Sequence, residues 1–264
     1  MAIKTWTVTG DTHGRVVGRL ISMKDHLKLF QPSEVGIIIL GDSGINFWLN
    51  KTDKKNKKEI SKYGFNIYCV RGNHDAHPED IEGMEKIYDE NTKGEVYCEP
   101  EFPLIKYFID GEEYELEGKR VLVIGGAYSV DKYWRLQNGG HWFEKEQLSP
   151  EEREGIAKKL QENEYDIILA HTCPFSWMPT DLFLSCVDQS TVDNSMELWL
   201  EEMKPYFKNA IYLFGHYHAD RLEREKVEMF YYYFDYLNNI IQKWENGSEE
   251  LCWYPKSPNY YMGR

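Results

Sequence analysis

Apolar residues fall along this chain in short runs separated by polar stretches with helical spacing. "TWTVTG" (5–10), "VGIIIL" (35–40), "FNIYCV" (65–70), "RVLVIGG" (120–126), "YDIILA" (165–170) and "NAIYLFG" (209–215) have strand length, and several are apolar on both faces. Such runs predict strands covered on two sides. Between them, "SPEEREGIAKKLQ" reads as a helix, with Ser149 as cap, Pro150 at the first position and Glu152 completing a capping box. "GRVVGRLISMKDHLKLF" (14–30) and "HPEDIEGMEKIYDE" (77–90), the latter starting at Pro78, predict two further helices. Strands alternating with helices imply βαβ units and a parallel or mixed sheet. Near the C-terminus, "VEMFYYYFDYLNNIIQ" (227–242) is rich in aromatic and β-branched residues and predicts strands that complete a sheet, with a turn at "ENGSEE" (245–250).

Length and composition narrow this picture. A chain of 264 residues is expected to form one α/β domain spanning 1–264. Its 31 basic and 44 acidic residues give a net charge of −13, which disfavours indiscriminate nucleic-acid binding through the overall field. The N-terminal residues lack a signal-peptide pattern and the longest apolar run, "IIIL", is too short for a bilayer, so a soluble cytoplasmic protein without a membrane partner is expected. Five scattered cysteines without a CxxC pair read as free thiols. Five lysines between residues 51 and 58 read as a solvated helix face or loop, with a rim attracting an anionic substrate as the alternative.

The chemistry is concentrated where the apolar runs stop. "TVTGDTHG" ends in Asp11 and His13, "IIILGDSG" in Asp42, "YCVRGNHD" in Arg71, Asn73, His74 and Asp75, "ILAHTCP" in His171, and "YLFGHYHAD" in His216 and His218. Functional groups in open α/β sheets gather beyond the carboxyl ends of the strands, so these segments are expected to meet. Asp11, Asp42 and Asn73 recur at intervals of 31 residues, about one βαβ unit. Gly10, Gly41, Gly72 and Gly215 each precede a ligand-type residue, as a sharp turn with close approach requires. Side chains two apart in extended chain share a side, which lets Asp11 with His13, and His216 with His218, reach one centre. Oxygen and nitrogen donors without thiolate suit Mn, Fe, Zn, Co or Ni. Seven such donors exceed one ordinary site but fit two ions sharing a carboxylate, about 3.5–4 Å apart, an arrangement that activates water for displacement at phosphorus.

With the ordered segments "GDTHG", "GDSG", "GNHD", "AHTCP" and "GHYH", the chain resembles the calcineurin-like metallophosphoesterases. The resemblance implies a four-layer αββα sandwich, in which two mixed β-sheets are flanked by helices, and a metal-dependent hydrolase acting on phosphate mono- or diesters. It also implies two divalent ions, with manganese first and Fe, Zn, Ni or Co as alternatives. Asp11, His13 and His218 would hold one ion, Asn73, His171 and His216 the other, and Asp42 would bridge. A hydroxide activated by the ions would attack phosphorus, His74 would protonate the leaving oxygen, and Asp75 would orient His74. The sequence "GDSGINFW" lacks the aspartate and arginine with which the protein phosphatases of this superfamily continue the second motif, which argues against a protein phosphatase. Arg71 is a candidate substrate contact, with support of the turn as the alternative.

His26 and His77 read as structural residues, Cys173 as a small loop residue, and His141 as part of an aromatic loop (125–147) that either packs or meets substrate. Substrate choice is expected to reside in loops 43–64, 125–147 and 172–194. Within the hydrolase reading, a nucleotide or nucleic-acid phosphodiesterase is the alternative to a general phosphoesterase. A non-catalytic scaffold binding a protein partner is a further one, opposed by the complete set of ligands and His74. The sequence is silent on oligomeric state.

Overall fold

Alternation along each central strand supplies two buried faces, and the architecture follows from filling both. The computed structural model describes residues 2–183 and 185–246. The elements are, in chain order, β1 (Thr5–Thr9), α1 (Val16–Met23), β2 (Val35–Ile39), α2 (Lys51–Ser61), β3 (Asn66–Cys69), β4 (Glu85–Asp89), β5 (Gly94–Cys98), β6 (Ile105–Phe108), β7 (Glu113–Leu116) and β8 (Lys119–Ile124). They continue with α3 (Lys132–Gln137), α4 (Pro150–Glu162), β9 (Ile167–Ala170), α5 (Ser195–Met203), β10 (Ile211–Phe214), β11 (Arg221–Arg224), β12 (Val227–Met229), β13 (Phe234–Tyr236) and α6 (Leu237–Asn246). One mixed sheet has the order β13-β1-β2-β3-β6-β5-β4 and the other β11-β12-β10-β9-β8-β7. Strands β1, β2, β3 and β6 are parallel, as are β8, β9, β10 and β12, with antiparallel strands at the margins.

Trp6, Val8, Ile38, Leu40, Tyr68 and Val70 of the first sheet meet Val121, Val123, Ile167, Leu169, Ile211 and Leu213 of the second in a shared inner core. The intervening residues point outward: Ile37, Ile39, Ile67 and Cys69 pack against α1 and against Ile60 of α2, while Ile168, Tyr212 and Phe214 pack against α4 and α5. The result is the αββα sandwich of two mixed sheets that the resemblance implies. No helix among the described residues is long and apolar enough to cross a membrane.

The six expected strands are present, and so is the helix at 150–162, whose Ser149 Oγ accepts from Glu152 N (3.2 Å) while Glu152 Oε2 accepts from Ser149 N (2.7 Å). Three expectations need correction. The helix predicted over 77–90 is one 3-10 turn, Pro78–Asp80, followed by β4, because Gly83 takes a left-handed φ of 80° and residues 85–89 pair with β5. The helix over 14–30 ends at Met23; beyond it the chain continues in turns that bury Leu27 and leave Leu29 85 % exposed. In 227–242 the strand reading holds for β12 and β13 only; Leu237, Ile240 and Ile241 sit at helical spacing in α6 and seal the inner core. Positions 247–250 of the expected turn lie outside the described residues.

The lysine run forms α2, capped by Asn50, whose side chain accepts from Thr52 N at 2.7 Å. Lys57 is buried against Glu99 (2.5 Å) and Asn46 (2.8 Å), and Lys54 and Lys58 face Glu101 at 2.5 and 3.8 Å. Part of its charge is therefore neutralised within the fold. Cys69, Cys98, Cys173 and Cys186 are free thiols.

Replacing Ser149 with Ala removes a cap far in sequence from the ligand segments. The expected loss is about 1 kcal/mol of unfolding free energy by urea titration.

Candidate metal centre

Every ligand-type segment leaves a strand at its carboxyl end: Asp11 and His13 follow β1, Asp42 follows β2, Asn73 to Asp75 follow β3, His171 follows β9, and His216 and His218 follow β10. The first three come from one sheet and the last two from the other, so the site straddles the sandwich. Glycine makes the approach possible. A Cβ on Gly72 would lie 2.1 Å from Asp42 Oδ1, and one on Gly41, where φ is +91°, would lie 2.0 Å from His171 Nδ1. No other residue fits either position. His13, Asp42, His216 and His218 all hold left-handed backbone, with φ from 44° to 70°, a conformation that costs a non-glycine residue roughly 1–3 kcal/mol and is concentrated at working sites.

Donor atoms of Asp11, His13, Asp42 and His218 lie within 4.8 Å of one another. His218 Nε2 is 3.4 Å from Asp11 Oδ2 and 2.8 Å from His13 Nε2, which is itself 3.8 Å from Asp42 Oδ2. On the other side of Asp42, its Oδ1 is 3.5 Å from His171 Nε2, and Asn73 Oδ1 lies 2.8 Å from that nitrogen and 3.1 Å from His216 Nδ1. Backbone donors fix both carboxylates. Asp42 Oδ1 accepts from His74 N (2.8 Å), and Asp11 accepts from His216 N at 3.1 and 3.2 Å.

The second half of this cluster tests whether a cation fits. His171 Nδ1 is 2.8 Å from the Leu40 carbonyl and so carries the ring proton, leaving a bare lone pair on Nε2. Asn73 Nδ2 donates to Ser129 Oγ (2.9 Å), which fixes its Oδ1 toward the same point. Two lone pairs thus confront each other at 2.8 Å in a fully buried place, an arrangement that a shared cation turns from repulsive to favourable. Charge balance agrees. Burial, and then the neighbouring charges of Asp11 and Asp75, push the Asp42 carboxyl well above its ordinary range. Asp11 feels the same burial, but the hydrogen bond from His218 and the charges of His171, His218 and His13 outweigh it and bring the carboxyl down to about 2. Burial lowers His13, His171 and His216, keeping them neutral donors, and burial with Arg135 nearby takes His74 down to about 2.

His74 Nε2 lies 3.7 Å from Asp42 Oδ2, with its side chain largely buried. Asp75 does not orient it: the Asp75 carboxylate accepts from Ser43 N, Ser43 Oγ, Gly44 N and Gly72 N at 3.0–3.3 Å, and His74 Nδ1 has no hydrogen-bond partner. Asp75 therefore ties together the turns after β2 and β3. Arg71 is buried and also points elsewhere. Its Nε donates to Asp110 (2.7 Å) and its Nη1 to the carbonyl of Lys145 (2.6 Å), which matches support of the turn rather than a phosphate contact. Arg135 of α3, in the aromatic loop 125–147, has its Nη2 3.3 Å from His74 Nε2. His26 packs edge-on against Phe234, His77 caps the 3-10 turn at 78–80, and His141 meets Phe47 and Trp48 in an aromatic cluster beside Arg135. A cavity of about 740 Å³ lies at the opposite strand ends, lined by Ile167, Ile211 and Trp244, and is remote from this chemistry.

These features define a class, a candidate oxygen-and-nitrogen metal site, part buried and part exposed, at the strand ends of an αββα sandwich. Residues 5–220 match the calcineurin-like phosphoesterases, and the chain belongs to that family. Comparison with curated proteins gives no match. Similar solved structures include TT1561 of Thermus thermophilus, 12 % identical with a TM-score of 0.43, covering 86 % of this chain and 89 % of that one. Another is the protein of unknown function AQ665 from Aquifex aeolicus, 17 % identical with a TM-score of 0.30, covering 64 % and 80 %.

Behind the ligand turns, Thr172 Oγ1 donates to buried Glu197 of α5 (2.7 Å) and meets Tyr217 Oη at 3.1 Å. The other Glu197 oxygen has no hydrogen-bond partner, and burial pushes its carboxyl from 4.5 up to about 7. The folded state then keeps a proton that the unfolded chain has released between these values, so stability falls as pH rises from about 4.5 to 7. In metal-free buffer, wild-type protein should lose up to roughly 3 kcal/mol more than Glu197→Gln between pH 4.5 and 8 in urea titrations; parallel curves would refute this.

Proposed function

We propose that this chain hydrolyses phosphoesters with two divalent cations, Asp11, His13 and His218 holding one, Asn73, His171 and His216 the other, and Asp42 lying between. The observation that carries the reading is the pair of opposed lone pairs on His171 and Asn73, next to a separate donor group formed by Asp11, His13 and His218. The donor set suits manganese, with Fe, Zn, Ni or Co as alternatives. When bound, such ions polarise phosphoryl oxygens and lower the pKa of water.

The chain's own residues supply the rest. Asp11 and Asp42, fixed by the backbone N–H groups of His216 and His74, hold the negative charge in place. His74 stands beside Asp42, where its Nε2 can deliver a proton to the leaving oxygen; the anionic phosphoester offsets the burial that keeps this ring neutral. Asp75 acts through the backbone by keeping the turns that carry Asp42 and Asn73 in register.

A nucleotide or nucleic-acid ester is a second reading, favoured by the Phe47, Trp48 and His141 cluster, in which Trp48 is 47 % exposed. The lysines of α2 lend it less support, since Glu99 and Glu101 pair with several of them.

Manganese-loaded protein should cleave p-nitrophenyl phosphate or its bis-ester, and the ratio of the two rates assigns mono- or diesterase preference. Asp42→Ala should abolish turnover and lower the metal content seen by elemental analysis. His74→Asn should retain both ions while losing about 10²–10⁴-fold in kcat. Two retained ions without turnover of any phosphoester, cyclic nucleotides and oligonucleotides included, would favour the scaffold reading instead.

A further inference from the structure

Among the basic groups near the site, several are committed to protein partners. Arg71 is bound to Asp110 and the carbonyls of Lys145 and Glu146, with its one unpartnered nitrogen, Nη2, buried beside Gly126; Lys57 is bound to Glu99, and Lys132 lies over the Trp142 ring. Arg135 differs in the direction of its free edge. It rises from α3 in the loop after β8, and its side chain is only 16 % exposed. Nε donates to Asp131 Oδ2 (2.7 Å), Nη1 donates to the His141 carbonyl (3.1 Å), and the Phe47 ring lies under the guanidinium at 5.8 Å. These contacts fix the plane of the group and leave Nη2 aimed at His74 Nε2, 3.3 Å away, which in turn lies 3.7 Å from Asp42.

A neutral imidazole nitrogen is a weak partner for a guanidinium held this firmly. A phosphate oxygen is a strong one, because the hydrogen bond from a guanidinium N–H to an anionic oxygen carries charge on both partners. In a chain of net charge −13, an incoming anion also gains from a fixed cation at the opening of a site built on carboxylates. Asp131 and the His141 carbonyl have already restricted the side chain, so little rotamer freedom is lost on binding.

We propose that Arg135 is a substrate-binding residue that takes a non-bridging phosphate oxygen through Nη2, exchanging its contact with His74 for one with the ester. This rests on the phosphoesterase reading for its substrate but not for its test.

Inorganic phosphate is the probe, titrated calorimetrically into manganese-loaded protein and assayed separately as a competitive inhibitor. Arg135→Met should weaken phosphate binding and raise KM about 10- to 100-fold, with a smaller change in kcat and an unchanged metal content. Arg135→Lys should recover part of the affinity, and millimolar guanidinium should restore part of the activity of Arg135→Ala, which a purely structural role would not allow. Equal phosphate affinity in wild type and Arg135→Met overturns the assignment and leaves the phosphoesterase reading standing. Weakened phosphate binding in the variant supports the assignment even if the wild type turns over no ester, an outcome that overturns the phosphoesterase reading alone.

Discussion

Two carboxylates buried side by side, faced by imidazoles that burial keeps neutral, form the constraint on which this structure turns. Asp11 and Asp42 are almost fully enclosed, and Asp42 is driven toward its protonated form by its surroundings. An enclosed like-charge pair is unfavourable unless positive charge enters. The protein provides part of the compensation with amide N–H groups from His74 and His216, each donated by the segment that also carries a ligand-type side chain. The remaining demand is for cations, and the inward-facing lone pairs of His171 and Asn73 are placed to meet it. Any cation that the cluster binds would therefore stabilise the fold as well.

Much of this was readable from residue order. Strands such as "VGIIIL" and "YDIILA" announce themselves because both faces are covered, and each ends at a glycine or a ligand-type residue whose purpose is spatial. The hairpins between residues 85 and 116 were not legible. Strand β4 is exposed over four of its five residues and β7 reads "EYEL", so their pairing with β5 and β8 rather than their own pattern defines them. The aromatic run before α6 concealed a helix whose apolar spacing begins only at Leu237.

Within the site, the ligand-type residues were legible and the roles of their neighbours were not. Asp75 and Arg71 sit next to ligand positions, yet their polar atoms are taken up by backbone groups and Asp110. Arg135 lies in a loop with weak patterning, and its approach to His74 depends on Asp131 and the His141 carbonyl. Adjacency in sequence is a poor guide to which polar group faces the cluster, whereas the strand-end segments bring donor atoms of Asp11, His13, Asp42 and His218 within 4.8 Å of one another.

The glycines that admit neighbouring ligands bear on the order of assembly. The space that a Gly41 side chain would fill holds the His171 ring, and the space at Gly215 holds the Asp11 carboxylate, so each sheet houses a group from the other. The bonds that seal these fits join residues 131 and 205 apart in sequence. Closing such long loops is slow and comes after local structure has formed. A nascent chain emerging from the ribosome therefore has no complete donor cluster until β10 and the turn carrying His216 and His218 have been added.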